Sequence, residues 1–207
     1  MTEETPPVIK TRAELRAAEA ACTRCSLYKH ATQVVPGEGP SHAKVMLVGE
    51  QPGDKEDIAG KPFVGPAGRL LDQALADAGI PRNETFVTNA VKHFKHEMRG
   101  KRRLHKRPNA YEIARCKWWL DLERQIVKPE VVVALGATAA RSLTGRAVTI
   151  AKVRGAPIDL NDGARLVVTI HPSALLRIED EADKRAKYRE FVKDLKAAAW
   201  LVFKSAA

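Results

Sequence analysis

The sequence predicts an α/β protein, a three-layer α/β/α sandwich in which helices cover both faces of a central four-stranded parallel sheet. Short apolar runs alternate along the chain with segments whose apolar residues recur at helical spacing. Strands that are apolar throughout are typical of sheets buried on both faces, and their alternation with helices is typical of parallel pairing. We expect one such domain over residues 11–207, preceded by a flexible arm at 1–10.

The strands are predicted at four compact apolar runs, each followed by a glycine or a polar residue. They span residues 44–48, 85–91, 130–135 and 166–170. A small hairpin is also expected from residues 148–150 and 156–160, around Arg154 and Gly155. Because the carboxyl ends of parallel strands share one edge of the sheet, the polar residues that follow them are candidates for a site.

Five helices are predicted from apolar residues at helical spacing. They span residues 12–21, 66–78, 109–127, 137–143 and 184–202. Thr11 and Glu14 have the spacing of a capping box, which begins the first helix, and Gly79 ends the second.

The composition points to an anionic partner. Lys and Arg outnumber Asp and Glu by 35 to 25, a formal net charge of +10, and nucleic acid is the first candidate. No apolar run reaches the roughly 18 residues of a membrane span. The acidic, Pro-rich N-terminus lacks the basic-then-apolar pattern of a signal peptide. We therefore expect a cytoplasmic monomer.

The three cysteines favour a metal site. Cys22 and Cys25 form a CxxC pair, and Cys116 stands apart, so the odd number makes a disulfide framework unsuitable. A thioredoxin-like redox pair would follow a strand, whereas this pair follows a predicted helix. Ligation by these thiolates needs a fourth donor, and histidine is the expected one. Spacing alone does not separate Zn²⁺ from an iron–sulfur cluster.

A loop rich in glycine and proline follows the first strand, over residues 49–57 and 60–68. Residues of these types hold a loop rigid, so that its amides can face a ligand. Glu50 and Asp54 supply carboxylates there, although the same pattern also fits a plain βα turn with acidic N-caps. A Walker phosphate loop is excluded because its GxxxxGK[ST] pattern is absent.

Four ordered motifs carry a family resemblance. The GEQPG loop at 49–53, GKPFVGPAG at 60–68, TNAVK at 88–92 and HPSALLR at 171–177 resemble the uracil-DNA glycosylase superfamily, above all its iron–sulfur family 4 branch. The resemblance runs from about residue 22 to residue 203. It implies a four-stranded parallel sheet in an α/β/α sandwich and excision of uracil from DNA.

Two departures from family 4 resemble the UdgX branch, whose members become covalently joined to uracil-containing DNA. His93 stands where family 4 has cysteine, and residues 101–108 form a basic segment around His105. The resemblance implies a [4Fe–4S] cluster held by Cys22, Cys25, His93 and Cys116. Zn²⁺ is the alternative metal, and His96 is the alternative to His93.

The resemblance also implies a uracil pocket. Its predicted members are Gly49, Gln51, Asp54, Phe63, Asn89 and His171. Phe63 is expected to stack on the base, and the Asn89 amide to hydrogen-bond its edge. His171 is expected to stabilise negative charge on the departing base. Read alone, these residues equally fit a core aromatic, a strand-end turn residue and a histidine that caps a turn.

Three functions compete for this site. In the first, His105 attacks C1′ of the sugar and forms a stable adduct, with Glu50 orienting it and Gln51 shaping the loops. In the second, a water activated by Glu50 takes that place and the enzyme turns over. In the third, the protein binds DNA without catalysis.

The segment from Lys95 to Arg107 holds seven Lys and Arg and one Glu, a local net charge of +6. Such runs are often merely solvated, and a lone histidine within one is often incidental. With the glycosylase motifs, they predict a DNA surface for uracil-containing, preferentially single-stranded DNA. The predicted DNA contacts are Lys101, Arg102, Arg103, Lys106, Arg107, Ser173 and Arg177.

Overall fold

The computed structural model describes residues 9–203, so most of the predicted N-terminal arm lies outside the described residues. The strands are β1 (Val45–Gly49), β2 (Thr85–Asn89), β3 (His96–Arg99), β4 (Arg102–His105), β5 (Val131–Leu135), β6 (Pro157–Asp159) and β7 (Arg165–Thr169). The α-helices are α1 (Arg12–Ala20), α2 (Asp54–Ala59), α3 (Pro66–Ala78), α4 (Ala110–Val127), α5 (Ala137–Thr144), α6 (Ile150–Val153), α7 (Pro172–Leu175) and α8 (Glu181–Phe203). Between residues 9 and 203, no helix has both the length and the apolar character needed to cross a bilayer.

The central sheet has the strand order β2-β1-β5-β7-β6. Its first four strands are parallel, which confirms the predicted four-stranded parallel sheet, and every residue of β1, β2 and β5 is buried. The short strand β6 adds an antiparallel edge beside β7.

The predicted hairpin of residues 148–150 and 156–160 is wrong. Helix α6 begins at Ile150, the last residue of the first half. The second half contains β6, which pairs with β7 instead. Ile150 and Val153 pack against the core cluster that contains Leu166 and Val168. A single helical turn places both side chains on that cluster, and it leaves β6 free to extend the main sheet.

Helices cover both faces of the sheet, as the sequence predicts. On one face, α3 and α8 pack Leu71, Leu75 and Phe191 against the strands. On the other face, α4 and α5 contribute Leu120 and Leu143 to a second cluster. Helix α1 begins with the predicted capping box of Thr11 and Glu14 and packs on α4.

The basic segment around His105 contributes to a β-hairpin. Strands β3 and β4 pair antiparallel, with His96 opposite His105. Arg103 fastens the hairpin to α2, with its Nε 2.6 Å from Asp54 Oδ1 and its Nη1 2.6 Å from Asp57 Oδ2. Because Asp57 is fully buried, its pairing with Arg103 is a strong anchor.

A buried ion pair lies where β2 ends. The Lys92 ammonium, with no exposed surface, lies 2.7 Å from Glu123 Oε2 on α4 and also donates to the Thr88 hydroxyl and the Asn89 carbonyl. The other Glu123 oxygen accepts from the Gly37 amide and from Thr88. These bonds connect the end of β2 to α4 and to the segment before β1.

We expect Glu123→Ala to lower the free energy of unfolding by about 3–5 kcal/mol, because it leaves the Lys92 charge buried without its partner. Urea unfolding measures this loss. The matched control is Glu130→Ala, whose exposed pair with Lys44 is worth less than about 1 kcal/mol. Equal stabilities of the two variants would contradict the role given to the buried pair.

Candidate active site

An open cleft of about 870 Å³ lies at the carboxyl ends of the parallel strands. The predicted site residues that line it are Glu50, Gln51, Asp54, Phe63, Asn89, His105, Arg107, His171, Ser173 and Arg177. They come from segments far apart in the chain. The cleft therefore brings together the Gly-rich loop, the end of β2, the hairpin and the segment after β7.

Two glycines allow Asn89 and Phe63 to approach β1. A Cβ on Gly49 would lie 2.3 Å from Asn89 Oδ1 and 2.7 Å from Phe63 Cζ, so only glycine leaves room for both. Phe63 has a φ of +57°, and a Cβ on Gly68 would lie 1.6 Å from the Phe63 carbonyl oxygen. Both glycines are thus required by the position of the aromatic ring.

The Asn89 side chain is suited to reading a base. It is 2% exposed, and among residues 9–203 its amide forms no hydrogen bond with protein. An amide offers a donor and an acceptor side by side. A planar ligand against Phe63 in this cleft would therefore find both at Asn89.

His171 is held by its own turn. The Ser173 amide donates to Nδ1 at 3.1 Å, and the Ser173 hydroxyl lies 2.8 Å from the same nitrogen. Since a backbone N–H can only donate, Nδ1 accepts and the neutral ring carries its proton on Nε2. Burial lowers the His171 pKa to about 4, helped by the nearby His105 and Arg177. Near neutral pH the ring is an uncharged hydrogen-bond donor.

Glu50 is the carboxylate at the centre of the cleft wall. Its Oε1 lies 3.4 Å from His105 Nε2, and its Oε2 accepts from the Thr138 hydroxyl and lies 3.7 Å from Arg107 Nε. Burial lowers the pKa of His105, while the charge of Glu50 opposes that shift. The half-exposed imidazole is therefore neutral near pH 7 and retains a nitrogen lone pair.

Gln51 holds the hairpin in place. Its Nε2 donates to the carbonyls of Lys95 and Lys106, and its Oε1 accepts from the Lys95 amide, each at 3.1 Å. The hydrogen-bonding groups of the side chain are thus occupied by the backbone of the hairpin. Contact with a base at this position would use the backbone.

The predicted DNA contacts divide into free and engaged side chains. Lys101 and Arg102 are exposed on the hairpin, whereas Lys106 pairs with Glu97 at 2.6 Å. Arg103 and Asp54 are paired with each other, as described above, and Ser173 is bonded to His171. Arg107 and Arg177 both line the cleft. Arg107 also lies 3.7 Å from Glu50, so among these predicted contacts the cationic side chains without a carboxylate partner in the described residues are Lys101 and Arg102 at the hairpin tip and Arg177 at the cleft.

The three cysteines lie in one buried cluster with Trp119. Trp119 Nε1 donates to Cys22 Sγ at 3.0 Å, and the Lys92 amide donates to Cys116 Sγ at 3.2 Å. Burial raises the pKa of Cys116 to about 12 and also raises that of Cys25. Thiols that are buried together, with N–H donors aimed at their sulfurs, fit the surroundings of an iron–sulfur cluster.

His93 follows Lys92 directly and is 5% exposed. Burial lowers its pKa, partly offset by the charge of Asp57, so the ring is neutral as a ligand must be. Across residues 9–203, however, no three Cys, His, Asp or Glu side chains stand close enough together to hold a metal. His96 stacks on Phe94 in the hairpin. The four predicted ligands are thus not arranged as a preformed site.

Two residues of the site, Thr138 and Glu56, were not predicted from the sequence. Thr138 lies in the first turn of α5, two residues after Gly136, which follows the end of β5. This position just after a strand end was the signal by which the sequence could have identified Thr138 as a site residue. Glu56 accepts from the Gly53 and Gly65 amides, each at 3.1 Å, and so ties together the two halves of the Gly-rich loop. Nothing in the local sequence distinguishes Glu56 from a surface acid.

The fold is that of an α/β protein with a cleft at the carboxyl ends of its parallel strands. Residues 36–196 match the uracil DNA glycosylase superfamily, and the chain belongs to that family. It is 43% identical over 157 residues to the type-4 uracil-DNA glycosylase of Thermotoga maritima, covering 75% of this chain and 78% of the relative. Identity to the type-4 enzyme of Pyrobaculum aerophilum is 38% over 181 residues, covering 84% and 86%. The type-5 enzyme of the same organism is 31% identical over 157 residues, covering 68% and 66%.

The lowered pKa of His171 predicts a loss of stability in acid. The unfolded chain takes up a proton below about pH 6.5, whereas the folded ring resists protonation until about pH 4. This contribution to stability is complete above pH 6.5 and is lost as the pH falls towards 4. We expect His171→Asn to lose less stability than wild type over this window in urea unfolding. The exposed His42→Asn serves as control, and equal losses in wild type and His171→Asn would contradict the assignment.

Proposed function

We propose that this protein excises uracil from DNA by cleaving the N-glycosidic bond. The observation that best supports this proposal is that Asn89, Phe63 and His171 line the same cleft. Membership of the uracil DNA glycosylase superfamily and the type-4 names of its relatives support this reading. We also propose that it acts as a monomer and that it prefers single-stranded DNA.

The residues divide the work by their chemistry. A base stacked in a duplex cannot reach the cleft, so it must be unpaired or flipped before Phe63 can stack on it. Asn89 then bonds the base edge. As the bond from C1′ to the base breaks, negative charge moves onto the base, and the His171 Nε2–H donates to it.

The comparisons favour water as the nucleophile that attacks C1′ of the sugar. Glu50 faces the cleft, and Thr138 and Arg107 orient its carboxylate. The carboxylate can therefore align a water at C1′ and accept its proton. The enzyme then releases both uracil and an abasic strand and turns over. The type-4 relatives support this alternative over a covalent trap.

A second outcome is favoured by one observation, the 3.4 Å between His105 Nε2 and Glu50. A neutral imidazole nitrogen would form a bond to C1′ as the glycosidic bond breaks and the uracil anion leaves. The imidazolium would then pass its remaining ring proton to Glu50. This is the covalent capture of the UdgX branch, and it would limit the protein to one turnover.

Asn89→Ala should slow uracil release roughly 100-fold, because the base loses both hydrogen bonds to its edge. The measurement is free uracil released from a single-stranded oligonucleotide in excess over protein. The exposed Asn83→Ala is the matched control and should match wild type. Wild-type protein that releases no uracil from any strand would overturn the proposed function.

Covalent capture is tested on a denaturing gel after incubation with the same oligonucleotide. If His105 is the acceptor, a heat-resistant adduct forms, His105→Ser abolishes it, and Glu50→Gln slows it. The control is His96→Ser, which alters the cross-strand neighbour of His105 and should retain the adduct. More than one uracil released per wild-type molecule, with no adduct, would leave water as the acceptor.

We propose that Cys22, Cys25, His93 and Cys116 hold a [4Fe–4S] cluster, with Zn²⁺ as the alternative. The buried thiols, their N–H donors and the neutral His93 support this donor set. A bound cluster would supply a covalent connection among α1, α4 and the end of β2, away from the reacting sugar. Iron and acid-labile sulfide in the purified chain would support the cluster, and zinc alone would favour the alternative.

A further inference from the structure

We propose that an exposed strip formed by α4 and the neighbouring Arg24 binds the single-stranded DNA flanking the uracil. The strip consists of Arg24, Tyr111, Arg115 and Trp118. The inference rests on the proposed function, because it concerns how the same substrate continues beyond the cleft. None of these four residues lines the cleft itself.

Helical geometry places three of the four residues on one face. Tyr111, Arg115 and Trp118 are spaced four and three residues apart, which aligns them along the outer side of α4. Tyr111 is 62% exposed and Trp118 is 36% exposed, while Cys116 and Trp119 turn inward to the thiol cluster. Large exposed rings in a row are unusual on a surface that contacts only water.

The arginines of the strip are held in place and carry unneutralised charge. Arg24 Nε donates to the Arg115 carbonyl at 3.2 Å, and Arg115 Nε donates to the Arg24 carbonyl at 3.1 Å. The Arg24 guanidinium lies 4.5 Å from the Trp118 ring centroid. Nearby acids of α4 are engaged elsewhere, Glu112 by Lys95 and Asp121 by Lys117. Within residues 9–203, neither arginine has a carboxylate partner.

This chemistry fits an unpaired nucleic acid strand. Exposed aromatic rings and guanidinium planes stack on bases, and such stacking requires that the bases be free of a complementary strand. The two arginines complement the phosphates. A duplex presents only its backbone here and would leave the rings of Tyr111 and Trp118 unused.

On α4, the strip begins four residues after Arg107 in the chain, and Arg107 lines the cleft. Asn109 caps α4, and Tyr111 stands in the first turn of that helix. The junction is fixed, because Lys95 Nζ lies 2.8 Å from Glu112 and the Lys106 amide donates to the Lys95 carbonyl. Tyr111 and Trp118 are about 10 Å apart along the helix axis. That distance spans about three stacked nucleotides.

The test compares uracil release from a short single strand and from the same strand extended by about six nucleotides, on the 5′ or the 3′ side. In wild type, the extension on one side should raise the second-order rate constant. Tyr111→Ala should lower the rate constant on the extended strand roughly fivefold, because each lost stacking contact costs about that much. The rate constant on the short strand should stay unchanged. Annealing a complement to the extension should abolish the gain in wild type.

Matched variants separate stacking from general effects. Tyr111→Phe keeps the ring and should keep the gain. Trp200→Ala removes an aromatic of similar exposure, 59%, from α8 and should behave as wild type. Arg115→Ala should reduce the slope of log affinity against log salt by about 0.7, the contribution of one phosphate contact on a single strand.

The proposed role of the strip would be wrong if Tyr111→Ala kept the full wild-type gain in rate on strand extension. It would also be wrong if Tyr111→Ala lowered the rate equally on short and long strands. Absence of uracil release from every strand would instead overturn the proposed function. In that case the strip is measured by fluorescence anisotropy with a uracil-free single strand, which Tyr111→Ala should bind more weakly. If the strip serves a protein partner, all of these DNA measurements stay at wild-type values.

Discussion

The buried contacts of Lys92 are the constraint on which the site and the thiol cluster both depend. Its ammonium is paired with Glu123 and bonded to the Asn89 carbonyl, its amide donates to Cys116 Sγ, and its carbonyl accepts from Val35. One residue therefore links Asn89 at the end of β2 to Cys116 on α4. Removing two charges from water is costly, so this arrangement persists only because every polar atom of Lys92 is satisfied.

The cleft places two uncharged imidazoles among charged side chains of both signs. His171 and His105 both have pKa values lowered mainly by burial, and the positive charge of Arg177 acts in the same direction on each. Arg177 thus helps to keep both rings neutral, and Arg107 acts in the same direction on His105. Neutral rings can donate to a base or attack a sugar, whereas protonated rings could not act as nucleophiles.

Periodicity predicted the four parallel strands and the long helices because each buries an apolar face that the sequence displays directly. It failed at residues 148–160, where short apolar segments fit a strand or a helical turn equally well, and tertiary packing decided. The motifs predicted Glu50, Asn89 and His171 in one cleft. They could not reveal that Arg103 would be engaged by Asp54 and Asp57, since such pairings depend on contacts distant in sequence.

The three hydrogen bonds of Gln51 have a consequence for how this protein can vary. They fasten the hairpin where it enters and where it leaves, at Lys95 and Lys106, next to His105. The turn at Gly100 is open, with space around it. Length and charge can therefore change at that turn while the imidazole beside Glu50 stays where it is. The hairpin is a region in which the protein can acquire new reach along a DNA strand without rebuilding its reaction centre.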